Sequence, residues 1–462
     1  MYYVTQTFVS VFDVAQTRMF VLRKIFYMNF FIMKINIWTL TFVLMSISLF
    51  AQQTPAKKQV NSILILNAKA HLGTGKVIEN SAIGFADGKI TFVADARITP
   101  PNTSEWDKVI DAKGKEIYPG FIAPNSQIGL KEIDAVRATR DNREVGGFNP
   151  NIRAIIAYNT DSRVTPTIRA NGILMAQVVP EGGRVPGSSS IVELDAWNWE
   201  DAAYKMDDGI HLHWPSMHRR TGWWAAPGPT KKNDDYQKQI TEIKQHFQAA
   251  KAYARSTPSS KNLKFEAMRG IFSANKKLFI HTNEAKAMLE VIQFIKDMDV
   301  QGVIIGAKDA WLIADELANS NIPVILSNTQ SLPSNIDDDI DQPFKTPKIL
   351  HDKGVLFALS MEGAWEQFNL AFQAGQAVSY GLPYEQAIKA LTANTAKILG
   401  IDDSVGTLET GKDATFFIAA GDILDMRTAK VEQAFIGGKS IDLDNKFKTL
   451  ARKFRGKYSA EK

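Results

Sequence analysis

The chain has 462 residues, 45% hydrophobic and 22% charged, with a formal charge of +5. That length holds a large core with a smaller domain beside it, and the proportions are those of a globular chain. Residues 1–51 carry +3 of the charge (Arg18, Arg23, Lys24 and Lys34 against Asp13), so the remaining +2 gives no field that would draw nucleic acid. Cysteine is absent, which excludes disulfides, thiolate metal ligands and a cysteine nucleophile.

Lys34 precedes the apolar run 35–50, and Ala51 ends it ahead of Gln52-Gln53-Thr54-Pro55. A basic start, an apolar stretch and a small residue at its end are the parts of a cleaved signal peptide, here residues 1–51. The run is short for a membrane span. Export is therefore expected, to the periplasm or the cell exterior. Residues 1–32 are aromatic-rich and weakly patterned, and Met28 or Met33 makes a natural translation start.

From residue 60 the pattern turns to short strands at 62–66, 81–85 and 89–93, with Asp87-Gly88 as a hairpin turn that needs positive φ. Two further short strands lead to Pro119-Gly120-Phe121-Ile122. Apolar strands at 173–179, 277–280, 302–305, 322–326 and 355–359 then alternate with helical stretches such as 285–298, 308–319 and 384–399. This is the rhythm of a (β/α)8 barrel. Short strands return at 414–418 and 433–436. An α/β fold follows: a (β/α)8 TIM barrel over 119–403, and a composite β-sandwich from both chain ends, 60–118 plus 404–445. A tryptophan-rich segment, 197–260, reads as an insertion, and 446–462 as a basic tail.

Five segments resemble the amidohydrolase superfamily, especially its imidazolonepropionase-like branch. They are Asp87-Gly-Lys-Ile90, Pro119-Gly-Phe-Ile122, Ala170-Asn-Gly-Ile173 with Pro180-Glu-Gly-Gly183, 391–400, and 405–414. The resemblance implies hydrolysis of carbon–nitrogen bonds, of the cyclic-amide type, at a divalent metal held at the C-terminal mouth of the barrel. It also implies a His-x-His pair after the first strand, but those positions fall on Asn125 and Gln127, whose neutral amides are weaker ligands. The strand-five histidine corresponds to His281, read equally as a metal ligand or as a hydrogen-bonded strand end. The strand-six histidine position falls on Gly306. The strand-eight aspartate, which orients the attacking water, corresponds to Glu362, one methylene longer.

Other segments carry weaker signals. His211-Leu-His213 with His218 has metal-binding spacing, yet it lies among Trp197, Trp199, Trp214, Trp223 and Trp224. An aromatic-packed loop with surface histidines is the expectation there, and a relocated metal site or an aromatic lid over the mouth is the alternative. In Glu181-Gly-Gly-Arg184, Arg184 and nearby N–H groups could meet an anionic substrate, against the plainer reading of a mobile loop. Asp337–Asp339 with Asp341 reads as a solvated loop rather than a calcium site. The expected partner is a small molecule, with either one zinc-like divalent ion or no metal. Two functions stand open: a carbon–nitrogen hydrolase with most of the usual metal centre lost, or an inactive barrel that binds or regulates. The second would act as a homo-oligomer or pair with an active relative.

Overall fold

The structure is a computed structural model. It describes residues 54–459 apart from 224 and 336, together with Met19, Arg23 and Lys24. Two compact units divide the chain, Met1–Thr54 and Pro55–Lys462. The expected signal segment with its Met28 and Met33, and Trp224, lie outside the described residues.

The second unit opens with β1 (Ile63–His71), β2 (Val77–Ala86), β3 (Lys89–Asp95), β4 (Lys108–Asp111) and β5 (Glu116–Pro119). Asp87 and Gly88 take positive φ between β2 and β3, as their hairpin turn requires. The barrel strands are β6 (Phe121–Ser126), β7 (Ile173–Val178), β8 (Ser188–Glu193) and β9 (Ala203–His213). After a hairpin, β10 (His218–Trp223) and β11 (Ala226–Lys232), come β12 (Lys277–Thr282), β13 (Gly302–Gly306), β14 (Val324–Leu326) and β15 (Phe357–Leu359). The chain then returns to the first sheet as β16 (Phe416–Ala419), β17 (Val431–Ile436) and β18 (Lys439–Ser440).

Both chain ends thus build one eight-stranded sheet, in which β16 pairs antiparallel with β5. The expected sandwich is a single hydrogen-bonded sheet curved around its own core. Phe85 meets Phe416 and Phe435 edge-on in that core, at centroid distances of 5.2 and 4.9 Å.

The other sheet has eight strands in the order β15-β14-β13-β12-β9-β8-β7-β6 and forms the nearly closed barrel. Alternate residues pack outward against the helices, among them Ile210, Leu212, Ile280 and Ile304. The intervening set, including Ile122, Met175, Ile191, Phe279 and Ile325, fills the interior. One strand departs from the expected pattern. β8 runs antiparallel to both β7 and β9, so its first residues, not its last, stand at the mouth.

Residues 197–260 are not an insertion. Within them β9 pairs in parallel with β12, from Gly209 against Lys277 to His213 against His281, and is a barrel strand. The short helix Trp199–Ala202, the β10–β11 hairpin and the helix Tyr236–Ala254 lie outside the barrel wall. Trp197, Trp199 and Trp214 do not form a lid. Trp197 and Trp199 follow β8 at the base, while Trp214 is buried beyond β9 with its Nε1 donating to the Tyr236 hydroxyl at 3.3 Å.

Candidate active site

β9 and β12 end side by side at the mouth, and their alternation turns His211, His213 and His281 to the same side as the interior Phe279. His211 Nδ1 lies 2.8 Å from His281 Nε2. The His213 and His281 rings stack with centroids 4.3 Å apart, and His211 stacks on Phe279 at 4.9 Å. The Nε2 atoms of His211 and His213 are buried without a hydrogen-bond partner.

Burial holds the His211 and His281 pKa values well below the ordinary histidine value, and neighbouring imidazoles depress them further. Burial, then the charges of Arg184 and Arg143, push His213 down to about 4. All three rings are therefore neutral at pH 7, the state that ligates metals or accepts protons.

A polar network joins β6, β7, β8 and β9. Gln177 Nε2 donates to Asp208 Oδ2 at 2.8 Å, and Ser189 Oγ donates to Asp208 Oδ1 at 2.7 Å. Gln177 Oε1 accepts the Asn125 N–H at 3.1 Å. Burial raises the Asp208 pKa, and the bonds from Ser189 and Gln177 oppose that rise.

The strand-one positions serve other ends. Asn125 sits at φ 52° on β6. Gln127 is buried just beyond, donating to Glu181 through Nε2 and accepting at Oε1 from Lys131 Nζ at 3.2 Å and Asn142 Nδ2 at 3.3 Å. Both ends of that amide are engaged. Gly306 closes β13 at φ 96°, a backbone conformation strained for any side chain, and an added Cβ would stand 2.5 Å from Asn283 Oδ1 and 3.0 Å from the Thr282 carbonyl oxygen. Glu362 is exposed beyond β15, its N–H donating to Asn328 Oδ1 at 2.9 Å.

Arg184 Nη1 donates to the His213 carbonyl at 3.0 Å. The loop around it is pinned rather than mobile. The N–H groups of Glu181, Arg184 and Val185 donate to Asn142 and Gly147 carbonyls at 2.6–2.9 Å, so these three do not face an anion. His218 stands apart on the hairpin, exposed, with Nδ1 3.5 Å from Glu284. Asp339 and Asp341 pair with Lys345 in an ordinary solvated loop. Among the described residues no three or more His, Asp or Glu side chains form a ready cation cage.

Sequence reasoning named His281, favoured the structural reading of His211 and His213, and did not single out Gln177 or Asp208, the polar groups the structure gathers at the barrel mouth. The alternation Ile210-His-Leu-His213 was the available signal, for it is the pattern of a strand with one face in a barrel mouth.

Comparison with known proteins agrees with the architecture. A model of the amidohydrolase family matches residues 269–454, from just before β12 into the C-terminal helix. The match takes in His281, Gly306 and Glu362 and leaves out β6 to β9. The protein "Amidohydrolase tasK" of Hapsidospora irregularis is 31% identical over 118 residues, 23% of this chain and 12% of that relative's length. An amidohydrolase from Thermotoga maritima has the same fold, with a TM-score of 0.70 and 23% identity over 82% of this chain and 99% of its own. Phenylurea hydrolase B is more distant, at a TM-score of 0.51 and 14% identity over 83% and 97%. The amidohydrolase family model thus covers the second half of the barrel, and the likeness to the Thermotoga maritima amidohydrolase shows that the fold is shared along the unit.

Proposed function

We propose that the protein hydrolyses a carbon–nitrogen bond in a small molecule, with the His211–His213–His281 cluster, not the strand-one positions, as its reacting centre. The supporting observation is the pair of buried, unpartnered Nε2 atoms on neutral rings. Each such atom costs about 1–3 kcal/mol, and two in one cluster need something to meet them.

The positions the family uses do not fit a metal, because the Gln127 amide is engaged and Gly306 offers no ligand. Neutral imidazoles are the donors a zinc-like ion takes, and such an ion would supply Lewis acidity and an activated water. His211 and His213 would hold it through Nε2, with His281 fixing the His211 ring from behind. Arg184 fixes the backbone of His213, and with Arg143 it favours a substrate bearing negative charge.

The test is elemental analysis of purified protein together with assays on hydantoins, imidazolones and dipeptides. Near-stoichiometric zinc, manganese or iron that His213→Ala abolishes, with turnover of one substrate class, is expected. Neither metal nor turnover after growth in supplemented medium would overturn the proposal. That outcome would favour the second reading, an inactive barrel that binds or regulates, alone or paired with an active relative. The engaged Gln127 and the blocked Gly306 are what speak for it. Export belongs to the same proposal, and N-terminal sequencing of the native protein tests it.

A further inference from the structure

The helix Lys446–Ser459 closes the described chain with no buried residue and no acid, while carrying Lys446, Lys448, Arg452, Lys453, Arg455 and Lys457. Its apolar residues recur at helical spacing. Phe447, Leu450, Phe454 and Tyr458 are 54, 36, 50 and 59% exposed. At ~100° per residue they fall within an arc of about 80°. Lys448, Arg452 and Arg455 follow on one border of that arc, and Lys446, Lys453 and Lys457 lie along the other.

The first border faces the body of the protein. Lys448 Nζ donates to the Leu443 carbonyl at 2.9 Å, and Arg452 pairs with Asp444 at 2.6 Å. Phe447 meets Trp365 edge-on at 6.0 Å. Trp365 donates in turn to the Glu132 carbonyl at 2.8 Å, which ties the helix start to the loop following β15. Beyond that point the stripe is open.

We propose that this helix docks the protein on an anionic lipid bilayer, lying in the surface plane with Leu450, Phe454 and Tyr458 in the headgroup layer. Charge complementarity carries the assignment: a helix without acids, whose cations flank an apolar stripe, matches a surface that is negative outside and apolar within. Long Lys and Arg side chains at such borders reach headgroup phosphates while their stems cover the acyl boundary. Duplex nucleic acid would use the cations and leave the stripe in water. Among the described residues no helix is long and apolar enough to cross a membrane.

Flotation of the full chain with vesicles tests this, comparing phosphatidylcholine alone with phosphatidylcholine containing phosphatidylglycerol. Binding at least about tenfold stronger to the anionic vesicles, and weakened by salt, is expected. Leu450→Ser with Phe454→Ser should remove it, and so should Lys453→Glu with Lys457→Glu, with thermal unfolding unchanged because all four side chains are exposed. Equal binding to both vesicles, or none to the anionic ones at low salt, overturns the proposal. So does a stripe that pairs two copies of the chain in solution, or binding to DNA that survives loss of the stripe.

Discussion

His211 and His281 are joined across neighbouring barrel strands by a 2.8 Å contact between ring nitrogens. One nitrogen must donate and the other accept, so each neutral ring is held in one tautomer. His281→Ala leaves the His211 Nδ1 buried without its partner and opens space beside Phe279. In chelator-treated, metal-free protein we expect a loss of about 2–3 kcal/mol, against about 1 kcal/mol or less for His213→Ala, whose Nε2 lacks a protein partner. Urea unfolding of the three proteins checks this, and equal midpoints for the two variants would refute it.

A pH dependence follows from His71 on β1. Its Nδ1 lies 2.6 Å from Glu385 on the helix Tyr384–Leu391, and its Nε2 3.6 Å from Glu116 on β5. The ring stacks on Tyr118 at 4.5 Å. Burial opposes protonation, but the facing carboxylates of Glu116 and Glu385, the latter hydrogen-bonded to Nδ1, outweigh it and raise the pKa. A raised folded pKa means that the stabilisation is full below the unfolded value of about 6.5 and fades as pH rises through the folded value. His71→Gln should therefore cost about 2 kcal/mol near pH 6, less than a sealed pair because both glutamates are about a fifth exposed, and progressively less above the folded pKa. A gap between wild type and variant that stays constant from near pH 6 to near pH 9 would contradict the clamp.

Gly306→Ala should destabilise by about 1–3 kcal/mol, since φ of 96° is strained for any side chain and the new Cβ would meet Asn283 Oδ1 at 2.5 Å. Gly306→His should cost at least as much and recruit no metal. A fully stable Gly306→His protein with bound zinc would show that the strand-six position is merely vacant and not blocked.

Arg169 and Asp195 form a buried ion pair where the first sheet meets the barrel. Arg169 Nη1 also donates to the Leu194 carbonyl at 3.0 Å, and Asp195 Oδ2 accepts the Ala56 N–H at 2.9 Å. Arg169→Ala would leave the Asp195 carboxylate uncompensated, at a cost of about 3–5 kcal/mol. Arg169→Met, which keeps more of the buried volume, should recover part of that loss. Thermal denaturation of both variants reads the difference.

The barrel was legible because its outward faces are apolar runs bounded by turns, as in 277–280 and 302–305. What escaped was any strand whose inward face is polar. β9 alternates Ile210 and Leu212 with His211 and His213, and by pattern alone its polar set could face solvent as easily as a barrel mouth. Only the pairing of β9 with β8 and β12 decides which. The Ser188-Ser-Ser opening of β8 hid that strand in the same way. Asn125, Gln127 and Gly306 were readable as the residues on which the resembled histidine positions fall. Their surroundings, an engaged amide network and a left-handed strand end, depend on Glu181, Asn142 and Asn283, which are distant in sequence or unremarkable in it.

The reversed β8 bears on how the chain reaches its native state. β7, β8 and β9 make an antiparallel meander in which neighbours in sequence are neighbours in space. Every other barrel strand must await a long crossover before it can pair, and pairing of that kind is slow. The meander is therefore expected to be the first part of the barrel to order, with the later strands adding to its β9 edge. Pulsed hydrogen exchange during refolding should find the amides of Met175–Val178 and Ser188–Glu193 protected before those of β13 to β15. Protection that arises everywhere at once would argue against such a seed.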